Sequence, residues 1–162
     1  MADNKKILIK SSDGQTFEVE ETIAIQSQTI KSMIEEDGNV RNNAFPVPNI
    51  TGKIMSMVVE YCNKHAKQSK PTSVAESSDA DPELEDWDAK FVKVDFSVLF
   101  ELCNAANYLN IKNLLDLTTQ AIADSIKDKM PEEVRKIFRI ENDLTPEEEA
   151  QLRKDNAWAY EI

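Results

Sequence analysis

Glycine is nearly missing from this chain, with three in 162 residues. A phosphate-cradling loop needs several glycines so that its backbone can approach the ligand, and three can hardly build one. The same scarcity leaves few tight turns and favours helix. Histidine occurs once, as His65, and cysteine twice, as Cys62 and Cys103. His65 stands near Lys64 and Lys67 in the polar tail of an apolar stretch, and no further ligands accompany it and Cys62, so a solvated surface position is expected for it. Neither cysteine lies in a CxxC motif or has a Lys or Arg one helical turn away, so each is read as a small buried apolar side chain. The acids around Asp37 and Asp143 lack the alternation and central Gly of a calcium loop. Bases are outnumbered, 19 Lys and Arg against 30 Asp and Glu, which leaves a net charge of −11. Such a surface repels phosphate backbones and anionic headgroups, and argues against nucleic acid or membrane as a direct partner. No apolar run reaches the roughly 18 residues of a membrane span. No signal peptide is expected after Met1-Ala2-Asp3-Asn4-Lys5-Lys6. Two distant thiols then imply a reduced, intracellular chain, on which the sequon Asn49-Ile50-Thr51 is a chance occurrence. Paired carboxylates are common, but they sit at helix starts and in a linker, where dipole and solvation account for them. No catalytic, cofactor-binding or metal-binding constellation emerges. An interaction protein remains.

The pattern along the chain gives it shape. Lys6-Ile7-Leu8-Ile9-Lys10 and Gln15-Thr16-Phe17-Glu18-Val19 have strand lengths, and Asp13-Gly14 between them predicts a hairpin. Ile23, Ile25, Ile30, Met33 and Ile34 predict two short helices around Gln26-Ser27-Gln28, the second stopped by Glu36-Asp37-Gly38-Asn39. Phe45-Pro46-Val47-Pro48 can only be an edge strand, because two prolines cannot donate to a central ladder. Thr51 is expected to cap a helix over 53–66, with Ile54, Met57, Val58, Tyr61 and Cys62 on its apolar face. A small mixed sheet packed with helices, an α+β class, suits this part. Residues 67–86 then change character. They hold four Ser and two Pro, and from Glu76 to Asp88 there are seven acids and no base. This reads as a disordered acidic linker, with an acidic docking site as the sharper alternative. Order is expected to resume at Trp87, with Phe91, Val92 and Val94 as a tether.

The rest is helical. Asp95 should cap a helix carrying Val98, Leu99, Leu102, Cys103, Ala106 and Leu109, and Asn110 the next, carrying Ile111, Leu114, Leu115, Leu117, Ala121, Ile122 and Ile126. The apolar arc of this second helix is wider than one core-facing stripe requires. Positions 111, 114, 118, 121 and 125 share a face, while 115, 122 and 126 point elsewhere. Either the helix is buried on two sides of its own domain, or one face serves the core and the other a partner; pattern alone leaves both open. Pro131-Glu132-Glu133 opens a further helix with Val134, Ile137 and Phe138 apolar. Thr145-Pro146-Glu147-Glu148 opens the last, with Thr145 as N-cap, Pro146 at N1 and Glu148 closing a capping box. Within 147–156 the only large apolar side chain is Leu152, so this helix needs Trp158 or a partner to dock. Trp158 and Tyr160, within five residues of the end of the sequence, read as an anchor.

Five segments carry a resemblance: Ile9-Lys10-Ser11-Ser12-Asp13-Gly14, Ala105-Ala106-Asn107-Tyr108-Leu109-Asn110-Ile111-Lys112, Leu114-Leu115-Asp116-Leu117-Thr118, Pro131-Glu132-Glu133-Val134-Arg135, and Asn142-Asp143-Leu144-Thr145-Pro146-Glu147-Glu148-Glu149. They resemble the Skp family, the adaptors of SCF ubiquitin ligases, over nearly the whole chain outside the linker. The ending Trp158-Ala159-Tyr160-Glu161 looks most like plant members. Relatives of the elongin C type lack the C-terminal helices present here.

The resemblance implies a BTB/POZ fold extended by C-terminal helices. Its parts would be 4–66 and 87–127 for the BTB/POZ domain, 67–86 for the linker and 128–162 for an F-box-binding extension. It implies a non-catalytic adaptor, without cofactors, that bridges a cullin scaffold to F-box proteins in nucleus and cytoplasm. Carried over position by position, Asn107 and Tyr108 would face the cullin. Leu115, Thr119, Ile122, Ile126, Ile137, Phe138, Ile140 and Trp158 would face the F-box, although Leu115 and Ile122 have a plain core reading as well. Weak self-association of the free chain is a further expectation, and a self-associating BTB domain with its helices folded back is the rival one. The chain departs from the family where it has Asp128-Lys129-Met130 in place of the usual Gly-Lys-Thr, and Thr119 in place of a common Cys. A left-handed helix stop at Asp128 would cost roughly 1 kcal/mol, and the loss of a Thr cap at Met130 about as much. A looser 131–138 helix is therefore expected.

Overall fold

The computed structural model describes residues 5–36, 43–66 and 81–160. The chain forms two compact units, Met1–Ser125 and Ile126–Ile162. The first opens on a hairpin, β1 (Lys6–Ser11) and β2 (Thr16–Glu20), followed by α1 (Glu21–Ala24), α2 (Gln28–Glu36), β3 (Phe45–Val47) and α3 (Gly52–Ala66). Helices α4 (Pro82–Phe91), α5 (Phe96–Leu109) and α6 (Lys112–Ile126) follow. β1 lies in the middle of the sheet, antiparallel to β2 with Ile7 opposite Val19, and parallel to β3 with Ile9 opposite Phe45. β3 therefore takes the edge that its proline demands.

The Asp13-Gly14 turn is as the sequence indicates, with Gly14 at φ 85°, open to glycine at little cost. Ser11 N–H donates to the Gln15 carbonyl at 2.8 Å and closes the hairpin. The Asp13 carboxylate also accepts from the Gly52 backbone N–H at 3.0 Å, so the turn satisfies an amide at the start of α3. Its carboxyl is held below the ordinary aspartate value, first by the Ser11 hydroxyl and then by backbone N–H donors including Gly52. Thr51 contributes its carbonyl, which accepts from Met55 N–H at 2.8 Å.

β1 alternates strictly, with Ile7, Ile9 and Ser11 buried and Lys6, Leu8 and Lys10 outside. The buried side packs on Ile54, Met55, Val58, Tyr61 and Cys62 of α3 and on Leu102, Ala105, Ala106 and Leu109 of α5. Met55 rather than Met57 fills the deep position on α3; Met57 is only partly buried. Cys62 is buried, as expected, and Cys103 only half so. Burial pushes the Cys62 thiol up to about 12 and raises the Tyr61 hydroxyl as well.

Several sequence expectations need correction. Asn110 does not cap α6. It closes α5 in a left-handed conformation, φ 51° and ψ 54°, which asparagine tolerates better than most residues, and Ile111 N–H reaches back to the Ala106 carbonyl at 3.0 Å. Asp95 stands at the N-cap of α5, but its side chain makes no cap hydrogen bond. The expected linker 67–86 overruns into helix. Asp81 caps α4, its carboxylate accepting from Glu83 N–H at 2.9 Å, with Pro82 in the first turn. Residues 82–86 are thus helical, and 67–80 lie outside the described residues. Phe91 ends α4 and Val92 is its C-cap. His65 is not a solvated surface residue: it stacks on Tyr61 at 4.0 Å between ring centroids and pairs with Asp88.

The second unit holds α7 (Pro131–Phe138), α8 (Pro146–Asp155) and α9 (Ala157–Tyr160). Among the described residues only Asn110 and Arg139 combine a side chain with positive φ. Asp128 therefore escapes the strain expected of it. Met130 lacks a hydroxyl, yet its N–H donates to the Glu133 carboxylate at 3.1 Å, so the first turn of α7 is closed from the other side. The ground at Asp128 falls away, while the missing side-chain cap at Met130 stands. Thr145 and Glu148 form the expected capping box, at 3.3 Å and 2.9 Å.

Candidate protein-binding surfaces

The last turn of α5 presents a polar pair above a closed core. Leu102, Ala105, Ala106 and Leu109 are buried, whereas Asn107 and Tyr108 are exposed, Tyr108 at 38 %. The N-terminal end of α2 fixes this turn. Thr29 Oγ1 donates to the Tyr108 carbonyl at 3.0 Å, Ser27 Oγ donates to the Leu109 carbonyl, and Gln28 N–H donates to the Asn110 carbonyl at 3.3 Å. Three otherwise orphaned carbonyls at the helix end are thereby satisfied. Asn107 and Tyr108 stand on rigid backbone beside α2, on which Met33 is also exposed. The sequence offered no sign of the Thr29 and Met33 neighbours, because the register between α2 and α5 is a tertiary fact.

On α6 the two arcs separate. Ile111, Leu114 and Thr118 are buried, and Thr118 Oγ1 returns a hydrogen bond to the Leu114 carbonyl at 2.8 Å. Leu115, Thr119, Ile122 and Ile126 follow at i, i+4, i+7 and i+11 and so share a second face; Leu115, Ile122 and Ile126 are half-buried and Thr119 is exposed. Leu115 also packs partly on the core, so it serves both sides.

In the second unit, α7 carries Ile137 and Phe138, both half-buried. Arg139 ends α7 in a left-handed turn, φ 55°, closed by Ile140 N–H on the Arg135 carbonyl at 2.9 Å. Ile140, just beyond, is 58 % exposed. Arg135 joins α7 to α8 through Glu149 at 3.0 Å, and Arg153 pairs with Glu132. The Arg153 guanidinium also lies 5.5 Å from the Tyr160 ring centroid. Tyr160 is therefore held inside this unit, whereas Trp158, two residues earlier, is 76 % exposed. The sequence treated the two aromatics as one anchor, and only Trp158 faces outward. Leu152 is exposed as well, at 47 %.

One apolar feature went unread in the sequence. A groove of about 570 Å³ runs among α4, α5 and α6 and is lined by Val92, Val94, Phe96, Leu99, Leu117 and Ala121 with a charged rim. Phe100 lies exposed on α5, its ring stacked with that of Phe96 at 6.3 Å. Phe96 and Phe100 at i, i+4 spacing, off the face of Leu99 and Leu102, were the available signal. Among the described residues no group of three or more His, Cys, Asp or Glu could hold a metal ion, and no helix is long and apolar enough to cross a membrane. These surfaces set large apolar side chains among charges, which suits recognition.

Comparison with known proteins bears on what these surfaces serve. The Skp1 family tetramerisation domain, a POZ domain, matches residues 5–67, and the Skp1 family dimerisation domain matches residues 112–159. The hairpin, the parallel edge strand and the helices around them thus make a BTB/POZ fold, as the resemblance implied. SKP1-like protein 1A of Arabidopsis thaliana is 55 % identical over 159 residues, 97 % of this chain and 98 % of its own. SKP1-like protein 1 of Oryza sativa subsp. japonica is 54 % identical over 170 residues, 98 % of this chain and 97 % of its own. SKP1-like protein 4 of Arabidopsis thaliana is 51 % identical over 165 residues, 99 % and 100 % respectively. Two family domains and plant relatives matched nearly from end to end lead to one statement: the chain belongs to the Skp1 family.

Proposed function

We propose that the chain is the adaptor subunit of an SCF ubiquitin ligase, joining a cullin scaffold to F-box proteins without chemistry of its own. The observation that carries the reading is the exposed apolar set of the second unit. Trp158, Ile140 and Leu152 remain open to solvent while Tyr160, Arg135 and Arg153 are engaged internally. A tryptophan exposed to this degree is costly to leave in water and typical of an interface anchor. The positions assigned to F-box recognition are Leu115, Thr119 and Ile122 in the first unit and, in the second, Ile126, Ile137, Phe138, Ile140 and Trp158; those assigned to the cullin are Asn107 and Tyr108. The net charge of −11 supports protein rather than nucleic-acid or membrane partners. The adaptor works in nucleus and cytoplasm.

Calorimetric titration of each variant with an F-box peptide and with a cullin N-terminal domain tests the assignment. Trp158→Ala weakens the F-box complex by about 2–4 kcal/mol and leaves cullin affinity unchanged; Tyr108→Ala does the reverse. Wild-type affinity of both variants for both partners would end the assignment. A self-associating domain is the rival reading, favoured by the apolar groove beside the exposed Phe100. Size measured on dilution separates the two: weak, readily dissociated association accords with an adaptor, and a dimer that persists at low concentration accords with the rival.

A further inference from the structure

The last turn of a helix leaves its carbonyls without intrahelical partners. At the end of α5 three consecutive ones are taken up by three consecutive residues at the start of α2. Ser27 Oγ donates to the Leu109 carbonyl, Gln28 N–H to the Asn110 carbonyl at 3.3 Å, and Thr29 Oγ1 to the Tyr108 carbonyl at 3.0 Å. The three bonds differ in kind. Ser27 is 2 % exposed, and its Oγ also accepts from Ile30 N–H at 3.2 Å, so it caps α2 as well as holding α5. Removing it would disturb both helices. Gln28 contributes backbone, which only proline would remove. Thr29 is half-buried and donates through a side chain. It serves the carbonyl of the one residue among the three whose large side chain stands open to solvent, Tyr108.

We propose that Thr29 is a positioning residue for cullin recognition: its hydroxyl holds the Tyr108 peptide and so aims the Asn107-Tyr108 pair at the scaffold. This rests on the assignment of that pair to the cullin, and it adds α2 to the site. Tyr108 lies in the last turn of α5. A bond to its carbonyl fixes the torsion on the far side of its Cα, and with the helix fixing the near side the Cα–Cβ bond keeps one direction. Without the hydroxyl, that carbonyl turns to water and the turn frays more readily. The free protein then holds the phenol in several poses, and association has to order it, which costs affinity. A binding side chain held by a neighbour's hydrogen bond avoids that cost. The effect is local, because no position assigned to F-box recognition lies on α2 or α5.

Calorimetric titration of the full chain with a cullin N-terminal domain, and separately with an F-box peptide, tests this on three single variants. Thr29→Val keeps the side chain's shape and removes its hydroxyl. It weakens cullin binding by about fivefold, the worth of one net hydrogen bond, and leaves F-box affinity at the wild-type value. Thr29→Ser restores a hydroxyl and recovers most of the cullin affinity. Tyr108→Ala is the control for the site itself. If Thr29→Val binds the cullin domain as tightly as wild type while Tyr108→Ala does not, the positioning role is overturned and the cullin assignment stands. If Tyr108→Ala also binds at wild-type affinity, both fall. A loss in Thr29→Val that extends to the F-box peptide, or that Thr29→Ser does not recover, marks a general structural effect and overturns the proposal as well.

Discussion

Trp158 and Tyr160 stand two residues apart, and what surrounds each determines its part. Arg153 covers Tyr160 and Glu132 holds Arg153, so the ring closes the short helix on its own unit and leaves the indole outward. Cys62 and Tyr61 show the same dependence on surroundings. Both ionise by gaining negative charge, and burial penalises that form in each. An unfolded thiol ionises near pH 8.5, while Cys62 in the fold holds its proton to about 12. The folded pKa lies above the unfolded one, so the stabilisation is complete below about pH 8.5 and is lost as pH rises toward 12. Urea midpoints measured from pH 8 to 11 should fall, and fall less steeply in Cys62→Ala; parallel slopes would remove the thiol as the source. At this scale the sequence was legible where chemistry is local. Asp13-Gly14 and Thr145-Pro146-Glu147-Glu148 carry their geometry in their own side chains. Asn110 was misread because it suits both ends of a helix and sits between two. His65 was misread because its partner Asp88 is 23 positions away.

Helix α8 has no buried residue and depends on its ends. Thr145 and Glu148 satisfy its first amides, Arg153 and Lys154 lie at its negative end, and Arg135 and Glu149 tie it to α7. Thr145→Ala should cost about 1 kcal/mol, read as roughly a fivefold loss of exchange protection at amides of the first turn of α8, with α6 unchanged. Equal protection in both proteins would show that the ion pairs hold the helix without its cap. The elements themselves were read well where period and punctuation agree, as in the hairpin, α3 and α8. On α6 the face expected over 111, 114, 118, 121 and 125 is buried only as far as Thr118, with Ala121 half-buried and Ser125 exposed, while Leu115, Ile122 and Ile126 of the other arc are half-buried. The start of α4 was missed for a physical reason. Asp81-Pro82-Glu83 is a cap and first-turn signature embedded in an acidic run, and composition was weighed above it.

At the scale of the whole molecule, the α+β core and the Skp1-family fold could be expected, since both follow from patterns and motifs spread along the chain. The groove among α4, α5 and α6 could not, because it exists only once three helices are docked. Nor could the seating of the Asn107-Tyr108 turn on α2, which rests on hydrogen bonds to carbonyls some 80 positions away. Contacts of that span cannot be inferred from a local window.

The carboxylate of Asp13 reaching the Gly52 amide has a kinetic consequence. It joins positions 39 apart, linking the hairpin turn to the start of the helix that follows the third strand. Closing a loop of that length costs more chain entropy than closing the hairpin does. The contact therefore belongs late in assembly. Asp13→Ala should steepen escape from the native state, raising the unfolding rate while refolding proceeds at the wild-type rate. A slowed refolding limb in a chevron would instead place this turn in the nucleus. A residue that looks like hairpin punctuation thus serves as a clock for when the sheet and its first long helix become one body.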